Sequence, residues 1–385
     1  MWTFKTGTRG RGSGVGARAL GHRLLPSARR LPVSLAPDTR PLIPVLPALC
    51  LLLSLAPGPW SPTPAFAAAG LYQVLEIKPD VFVWLPDDVL DQEGDPDFAR
   101  AGTAGFIIRP DGVVVVDTTN SPFHARELLY EIRRRTDQPV KYVIDTDPEG
   151  DHALGNEVFV DQQASIVATP GTQAGLRRYQ LDLPRRLEGD WRLQARMRGF
   201  HPTLPNQTFE GETVLRFDRH EQNHHAGNAA GAQEIKLVSL ETGLATAQAA
   251  VRLPAAKVAF LGGLFENGYF PHLGSRQQPK DIRRWIETLR EVETWDVDVY
   301  VPGHGPPAGK KELSEFRKFL EWLTKEVEAR VKQGKSPEQV EQELAPSLEN
   351  FRWHAPELRK DAVGAVYSQL AGARPATAAS PPSQH

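Results

Sequence analysis

Hydrophobic and polar positions along the chain change period several times, and each change marks an element. Residues 71–84 alternate and predict two loosely paired edge strands, with Pro79-Asp80 as the turn between them. Gly105-Phe106-Ile107-Ile108, the turn Pro110-Asp111-Gly112 and the run Val113-Val114-Val115-Val116-Asp117 predict a tight hairpin. From 123 to 136 the apolar residues Ala125, Leu128, Leu129 and Ile132 recur at helical spacing. Val140–Ile144 and Ala164–Ala168 are short continuous apolar runs, as buried strands are. Residues 170–200 predict helix broken near Pro184.

The second half repeats this alternation. Glu234–Leu240, Ala247–Leu253 and Val258–Leu261 predict strands, the last two joined by the turn Pro254-Ala255-Ala256-Lys257. A helix is expected over Ile282–Val292, a short buried strand over Val297–Val301, and a long charged helix over 309–333. Helical pieces follow at Pro337–Leu344 and Pro356–Leu370, and the Pro/Ala/Ser tail from Pro375 is expected to be disordered. The acidic stretch Asp91–Arg100 has the make-up of a surface insertion. Two strand-rich halves flanked by helices predict an α/β layered fold built as a sheet sandwich.

Composition alters this picture chiefly at the N-terminus. Of the chain's 45 basic and 47 acidic residues, residues 1–67 hold eight and one, so the rest carries 37 and 46, a formal charge of −9. An acidic body does not grip a phosphate backbone, which argues against nucleic acid and for a small-molecule substrate. The basic segment runs into an apolar stretch, Leu42–Ala56, too short to span a bilayer comfortably, and then into Ala65-Phe66-Ala67, a small-x-small pattern. That order is the order of a secretory signal. It predicts a leader over 1–67, a domain over 68–371, a tail over 372–385, and a secreted or periplasmic product without stable membrane insertion. An uncleaved anchor is the alternative. The one cysteine, Cys50, falls in the leader, so the mature chain has neither disulfide nor thiolate, and any metal must be held by nitrogen and oxygen.

Two loops carry candidate chemistry. Thr146-Asp147-Pro148-Glu149-Gly150-Asp151-His152 directly follows the strand Val140–Ile144, and Pro302-Gly303-His304-Gly305 follows Val297–Val301. Functional side chains of α/β folds collect at such strand ends. Taken alone, the first loop could be a solvated acidic turn with a capping Asp151. The wider set changes the balance: Gly112–Asp117, the helix 123–136, Val140–His152 with Gly155-Asn156, Leu253-Pro254, Lys257–Gly262, Asn267-Gly268 and Val301–Gly305. In order and spacing it resembles the metallo-β-lactamase superfamily across roughly residues 75–370.

That resemblance implies an αββα sandwich, with extra C-terminal helices here, and hydrolysis by a zinc-bound hydroxide. In the family the first loop reads H-x-H-x-D-H. Here Asp147 and Glu149 stand at the first two histidine positions, while Asp151 and His152 match, as does His304. Leu244 falls where a further histidine belongs and Gly263 where an aspartate bridges two metals. The losses concentrate on one of the two metal positions, and Asp151, His152 and His304 are left to hold the other. Three protein ligands and an open position is how catalytic zinc is commonly held.

Asp147 and Glu149 are candidates for three roles: oxygen ligands to a second, harder cation, a general base beside the metal-bound water, or remnants of a lost site. The His-rich stretch Arg219–His225 could lend a replacement ligand, and His272 could line the cleft. Trp191, Trp285 and Trp353 are expected to serve core or helix packing rather than binding. The expected function is metal-dependent hydrolysis of a small ester-, amide- or lactone-like substrate. The alternative is a catalytically silent or binding member of the same fold.

Overall fold

Strict alternation decides how the strands are used. In the hairpin β3 (Ala104–Arg109) and β4 (Gly112–Val116), Ile107, Val114 and Val116 face one core, whereas Phe106, Val113 and Val115 face another. Period-2 geometry sends successive side chains to opposite faces, so a strand that is apolar at every position must be covered on both. The structure, a computed structural model, describes residues 72–86, 100–189, 203–215, 234–243, 247–273 and 281–372, with single positions at 191, 194, 197, 200, 201 and 217. The leader with Cys50, the stretch 91–99, the loop 219–225, Leu244 and the tail from Pro375 lie outside these residues.

Seven strands form the first sheet, in the order β1 (Tyr72–Lys78), β2 (Val81–Pro86), β3, β4, β5 (Val140–Ile144), β6 (Ser165–Ala168) and β7 (Gln207–Thr208). β1 to β4 are antiparallel neighbours, and β4 to β7 run parallel. The second sheet has the order β12 (Val299–His304), β11 (Val258–Glu266), β10 (Ala247–Leu253), β9 (Ile235–Glu241) and β8 (Glu212–Leu215). Its only parallel pair is β11 with β12.

The inner core between the sheets joins Val83, Ile107, Val114 and Ile144 of the first to Leu237, Val251, Phe260 and Val301 of the second. Helix α1 (Pro122–Arg133) covers the outer face of the first sheet through Ala125, Leu128 and Ile132. It begins where it does because the Ser121 side chain accepts the His124 N–H and Pro122 takes the first turn, where no N–H is needed. The outer face of the second sheet is covered by α5 (Ile282–Glu293), α6 (Lys310–Lys332), α7 (Pro337–Glu349) and α8 (Leu358–Gly372). The layers are therefore helix, sheet, sheet, helix, the expected αββα sandwich with added C-terminal helices. No helix among the described residues is long and apolar enough to cross a membrane.

Several expectations need correction. β2 is an internal strand, paired on both sides and buried from Val81 to Trp84, and only β1 lies at the edge. Helix α4 (Pro170–Leu187) passes through Pro184, and α7 continues past Leu344 to Glu349 through Pro346. In both, the proline sits in the last turn, so the interruption falls near the helix end, and a buried leucine close by anchors the turn (Leu183, Leu348). β11 runs five residues further than expected, to Glu266, buried throughout. Trp285 and Trp353 pack in the aromatic core, but Trp191 is exposed.

Glu127, half-buried on α1, gives a pH signature independent of the metal loop. Burial pushes its carboxyl up to about 7, and its Oε2 has no hydrogen-bond partner. Between the ordinary value of 4.5 and about 7 the folded chain keeps a proton that the unfolded chain has released, so stability falls as pH rises through that window. Glu127→Gln is expected to melt like the wild type at pH 4.5. At pH 8 it should be more stable by about 1 kcal/mol, a figure discounted for the group's partial exposure. Thermal melts at the two pH values check this, and equal gains at both would contradict it.

Candidate metal centre

The carboxyl ends of β4, β5, β11 and β12 meet at one edge of the sandwich, and each delivers a polar residue there. After β4 the chain turns sharply at Asp117, which adopts a left-handed backbone (φ 60°) and is 2% exposed. Its Oδ1 accepts the Thr146 N–H at 2.8 Å and its Oδ2 the Thr146 hydroxyl at 2.7 Å. The same Oδ2 lies 3.0 Å from His152 Nδ1. After β5 the loop closes in a one-turn helix, α2 (Gly150–Ala153), which carries Asp151 and His152. His304 ends β12 beside Glu266, the last residue of β11, and its Nδ1 is 3.1 Å from Glu266 Oε2.

A carboxylate can only accept, so Asp117 and Glu266 each place the proton on Nδ1 of their histidine and leave Nε2 to face the centre. His304 Nε2 is 3.2 Å and His152 Nε2 3.7 Å from Asp151 Oδ2. Among the described residues, Asp151, His152 and His304 form the group of three whose ligand atoms all lie within 4.8 Å of one another. Two of these atoms are telling: Asp151 Oδ1 and His152 Nε2 are buried without a hydrogen-bond partner. Leaving such groups unsatisfied is costly, and a divalent cation between them removes the cost. Two imidazole nitrogens and a carboxylate oxygen, each histidine backed by a second carboxylate, are a donor set that suits zinc.

The electrostatics agree. Burial alone would lower His304, but Glu266 and Asp151 outweigh it and push the ring up to about 10. Burial opposes protonation of His152 too, and Asp151, Asp117 and Asp147 overcome it, holding the ring well above the ordinary value. Burial would raise Asp151, yet the two histidines keep it below the usual carboxylate range. The surroundings are thus built to stabilise positive charge at this point.

Asp147 and Glu149 divide. Asp147 is fully buried: its Oδ1 accepts the Glu149 N–H at 2.9 Å, and its other oxygen accepts the Gln248 amide. It lies outside the group of three. Glu149 faces the cleft, pairs with His272 Nδ1 at 3.1 Å, and sits close enough to oppose ionisation of Asp151. His272 therefore lines the cleft as expected. Gly263 is a buried position of β11. Gly102 packs its backbone against the His152 ring, with its N–H donated to Asp151 O at 2.9 Å. Sequence reasoning did not assign Asp117, Glu266, Gln248 or Gly102 to the site. The available signal was a lone carboxylate closing an all-apolar strand, Asp117 after Val113–Val116 and Glu266 after Val258–Phe265.

An αββα sandwich with a histidine-carboxylate centre at its edge defines a class of metal-dependent proteins. The metallo-beta-lactamase superfamily model matches residues 97–304, more than half of the chain, and the chain belongs to that superfamily. A linear primary-alkylsulfatase of Pseudomonas sp. (strain ATCC 19151) is 22% identical over 233 residues, 54% of this chain and 42% of that protein. The chain thus spans less than half the length of this curated relative. A solved double mutant of the sec-alkyl sulfatase PisA1 superposes with a TM-score of 0.56 at 17% identity, over 79% of this chain and 51% of that one. A metallo-beta-lactamase from Pontibacter korlensis gives a TM-score of 0.46 at 20% identity, over 65% of this chain and 99% of that one.

Proposed function

We propose that the chain is a metal-dependent hydrolase of small ester-, amide- or lactone-like molecules, with one zinc ion held by Asp151, His152 and His304. The observation that carries this reading is the convergence of Asp151, His152 and His304, with Asp151 Oδ1 and His152 Nε2 buried and without a hydrogen-bond partner. Zinc bound there would supply Lewis acidity, polarising a substrate oxygen and acidifying water towards neutral pH. Asp117 and Glu266 hold the imidazoles in orientation. Glu149 and His272, paired at the cleft wall beside Asp151, are placed to hold a proton near the reacting bond. The cleft lined by Glu149, Asp151, His272 and His304 has a cavity volume of about 30 Å³ and is partly open, so a substrate presents its reacting group there rather than being enclosed. Asp147, tied to Gln248, serves the fold of the loop in this reading, and no second cation is required. The leader over 1–67 directs the domain over 68–371 out of the cytoplasm, where such substrates are met.

The test is elemental analysis of the purified full chain, followed by assays on a carboxylic ester, a lactone and, because two relatives are named alkyl sulfatases, an alkyl sulfate. About one zinc per chain and turnover of at least one substrate that stops on chelation are expected, with a secreted form beginning near Ala68. Zinc without turnover of any of the three would favour the silent, binding member. Absence of bound metal, and none taken up on addition, would end the hydrolase reading and leave the silent or binding member.

A further inference from the structure

Residues beyond 304 lie outside the family match, yet part of them returns to the metal centre. His354 bridges to Tyr269 in parallel register, donates its N–H to Gly268 O at 2.8 Å and accepts the Phe270 N–H at 3.1 Å. The Tyr269 ring stands between two imidazoles, stacked on His354 at 4.7 Å and tilted against His304 at 5.6 Å. Ala355 then turns through a left-handed backbone (φ 57°), and Leu358 opens α8. Ala355 and Leu358, with Tyr269 and Phe270, make an apolar wall of the same cleft whose polar side carries Glu149 and His304. The segment is pinned at its far end: Arg100 donates to Glu357 at 2.7 Å across 257 positions of sequence.

We infer that the segment Trp353–Leu358 is the specificity wall of the site. It receives the alkyl or acyl chain of a substrate whose reacting group lies at Asp151 and His304. This rests on the hydrolase reading for the reacting group and goes beyond it in naming the rest of the substrate. One wall of the cleft carries charge and metal ligands, and the other is largely carbon and aromatic surface from Tyr269, Phe270, Ala355 and Leu358, with Arg100 also in the lining. An amphiphile with an oxygen-rich head and a chain of several methylenes fits both walls, whereas a peptide or a polyhydroxylated substrate would desolvate polar groups against Leu358 and Phe270 without partners. Each methylene that leaves water for such a wall tightens binding by roughly fourfold at most.

The experiment uses the as-purified full chain and three free carboxylates, acetate, butyrate and octanoate, titrated by calorimetry, beside turnover of the matching p-nitrophenyl esters. In the wild type, octanoate is expected to bind at least about tenfold tighter than butyrate, and KM to fall along the ester series. Leu358→Asn should cut the octanoate advantage to about twofold with metal content unchanged. Since Leu358 is buried and its variant could fail to fold, Glu357→Gln provides the second arm. It weakens the pin by removing the charge that faces Arg100, a largely buried side chain of the same cleft lining, and should reduce the advantage at least threefold while the fold, read by melting, persists. An unaltered octanoate advantage in a folded variant overturns the inference, as does its absence in the wild type. Failure of the hydrolase reading shows separately, as chain-length-dependent binding without turnover of any ester.

Discussion

Asp117→Ala is expected to cost the protein about 3–5 kcal/mol of stability and to weaken zinc binding by at least tenfold. One carboxylate here serves three groups: the Thr146 N–H, the Thr146 hydroxyl and His152 Nδ1. All are buried, so water does not replace the lost acceptor, and removal of one partner from a buried charged network carries a penalty of this size. The Thr146 bonds also set the start of the loop 145–152, so their loss loosens the helical turn that presents Asp151 and His152. Loss of a carboxylate behind a ligating histidine typically costs 10–100-fold in metal affinity. Metal binding itself stabilises a folded chain, so the two effects must be separated. Melts in excess chelator isolate the hydrogen-bond loss, and zinc competition titration reads the affinity. Asp117→Asn keeps the shape and one acceptor, and should fall between alanine and the wild type. A D117A protein that melts with the wild type in chelator would show that Thr146 and His152 find other partners.

The difference between Asp117 and Asp151 shows where sequence reasoning reaches. Asp151, His152 and His304 were legible through the family resemblance, which groups two loops after apolar strands into one ligand set, and the structure brings their ligand atoms within 4.8 Å of one another. The sandwich was legible because Val113–Val116 and Val258–Leu261 are apolar at every position, which only a strand covered on both faces tolerates. Asp117 and Glu266 act through a residue 35 or more positions away, and nothing local announces that a strand-ending carboxylate will meet a histidine ring. Asp147 occupies a ligand position in the sequence, and its contact with Gln248 of β10, about a hundred residues on, is another that no local pattern announces. Pro184 was over-weighted because the cost of proline depends on where in a helix it falls, and the helix ends were not visible. The wall of Ala355 and Leu358 lay beyond reach altogether, since two helices, α6 and α7, separate it in sequence from the rest of the cleft it lines.

Gly102→Ala is the smallest change expected to disable the centre, because the space for one methyl group is already taken. A Cβ at Gly102 would lie 2.7 Å from Cε1 and 2.8 Å from Nδ1 of His152, and 3.0 Å from the Asp151 carbonyl oxygen. The ring cannot retreat freely, since it is fully buried and Asp117 holds its Nδ1. The backbone could yield instead, but that would strain the Gly102 N–H bond to Asp151 and the adjacent Thr103 N–H bond to Gly303 O at 2.7 Å, which ties the two sheets together beside His304. Either way a metal ligand moves. Overpacking of this kind costs about 1–3 kcal/mol, and a displaced ligand should weaken zinc binding by about tenfold or more. Gly364→Ala is the control: it lies in the middle of α8 with nothing within 4 Å of its added carbon, so the same substitution should stabilise the chain by about 0.5–1 kcal/mol and leave zinc binding alone. Paired melts and zinc titrations of the two variants therefore have opposite expected signs. A G102A protein that binds zinc as tightly as the wild type would mean that the position of the His152 ring does not matter to the metal, and would remove His152 from the ligand set.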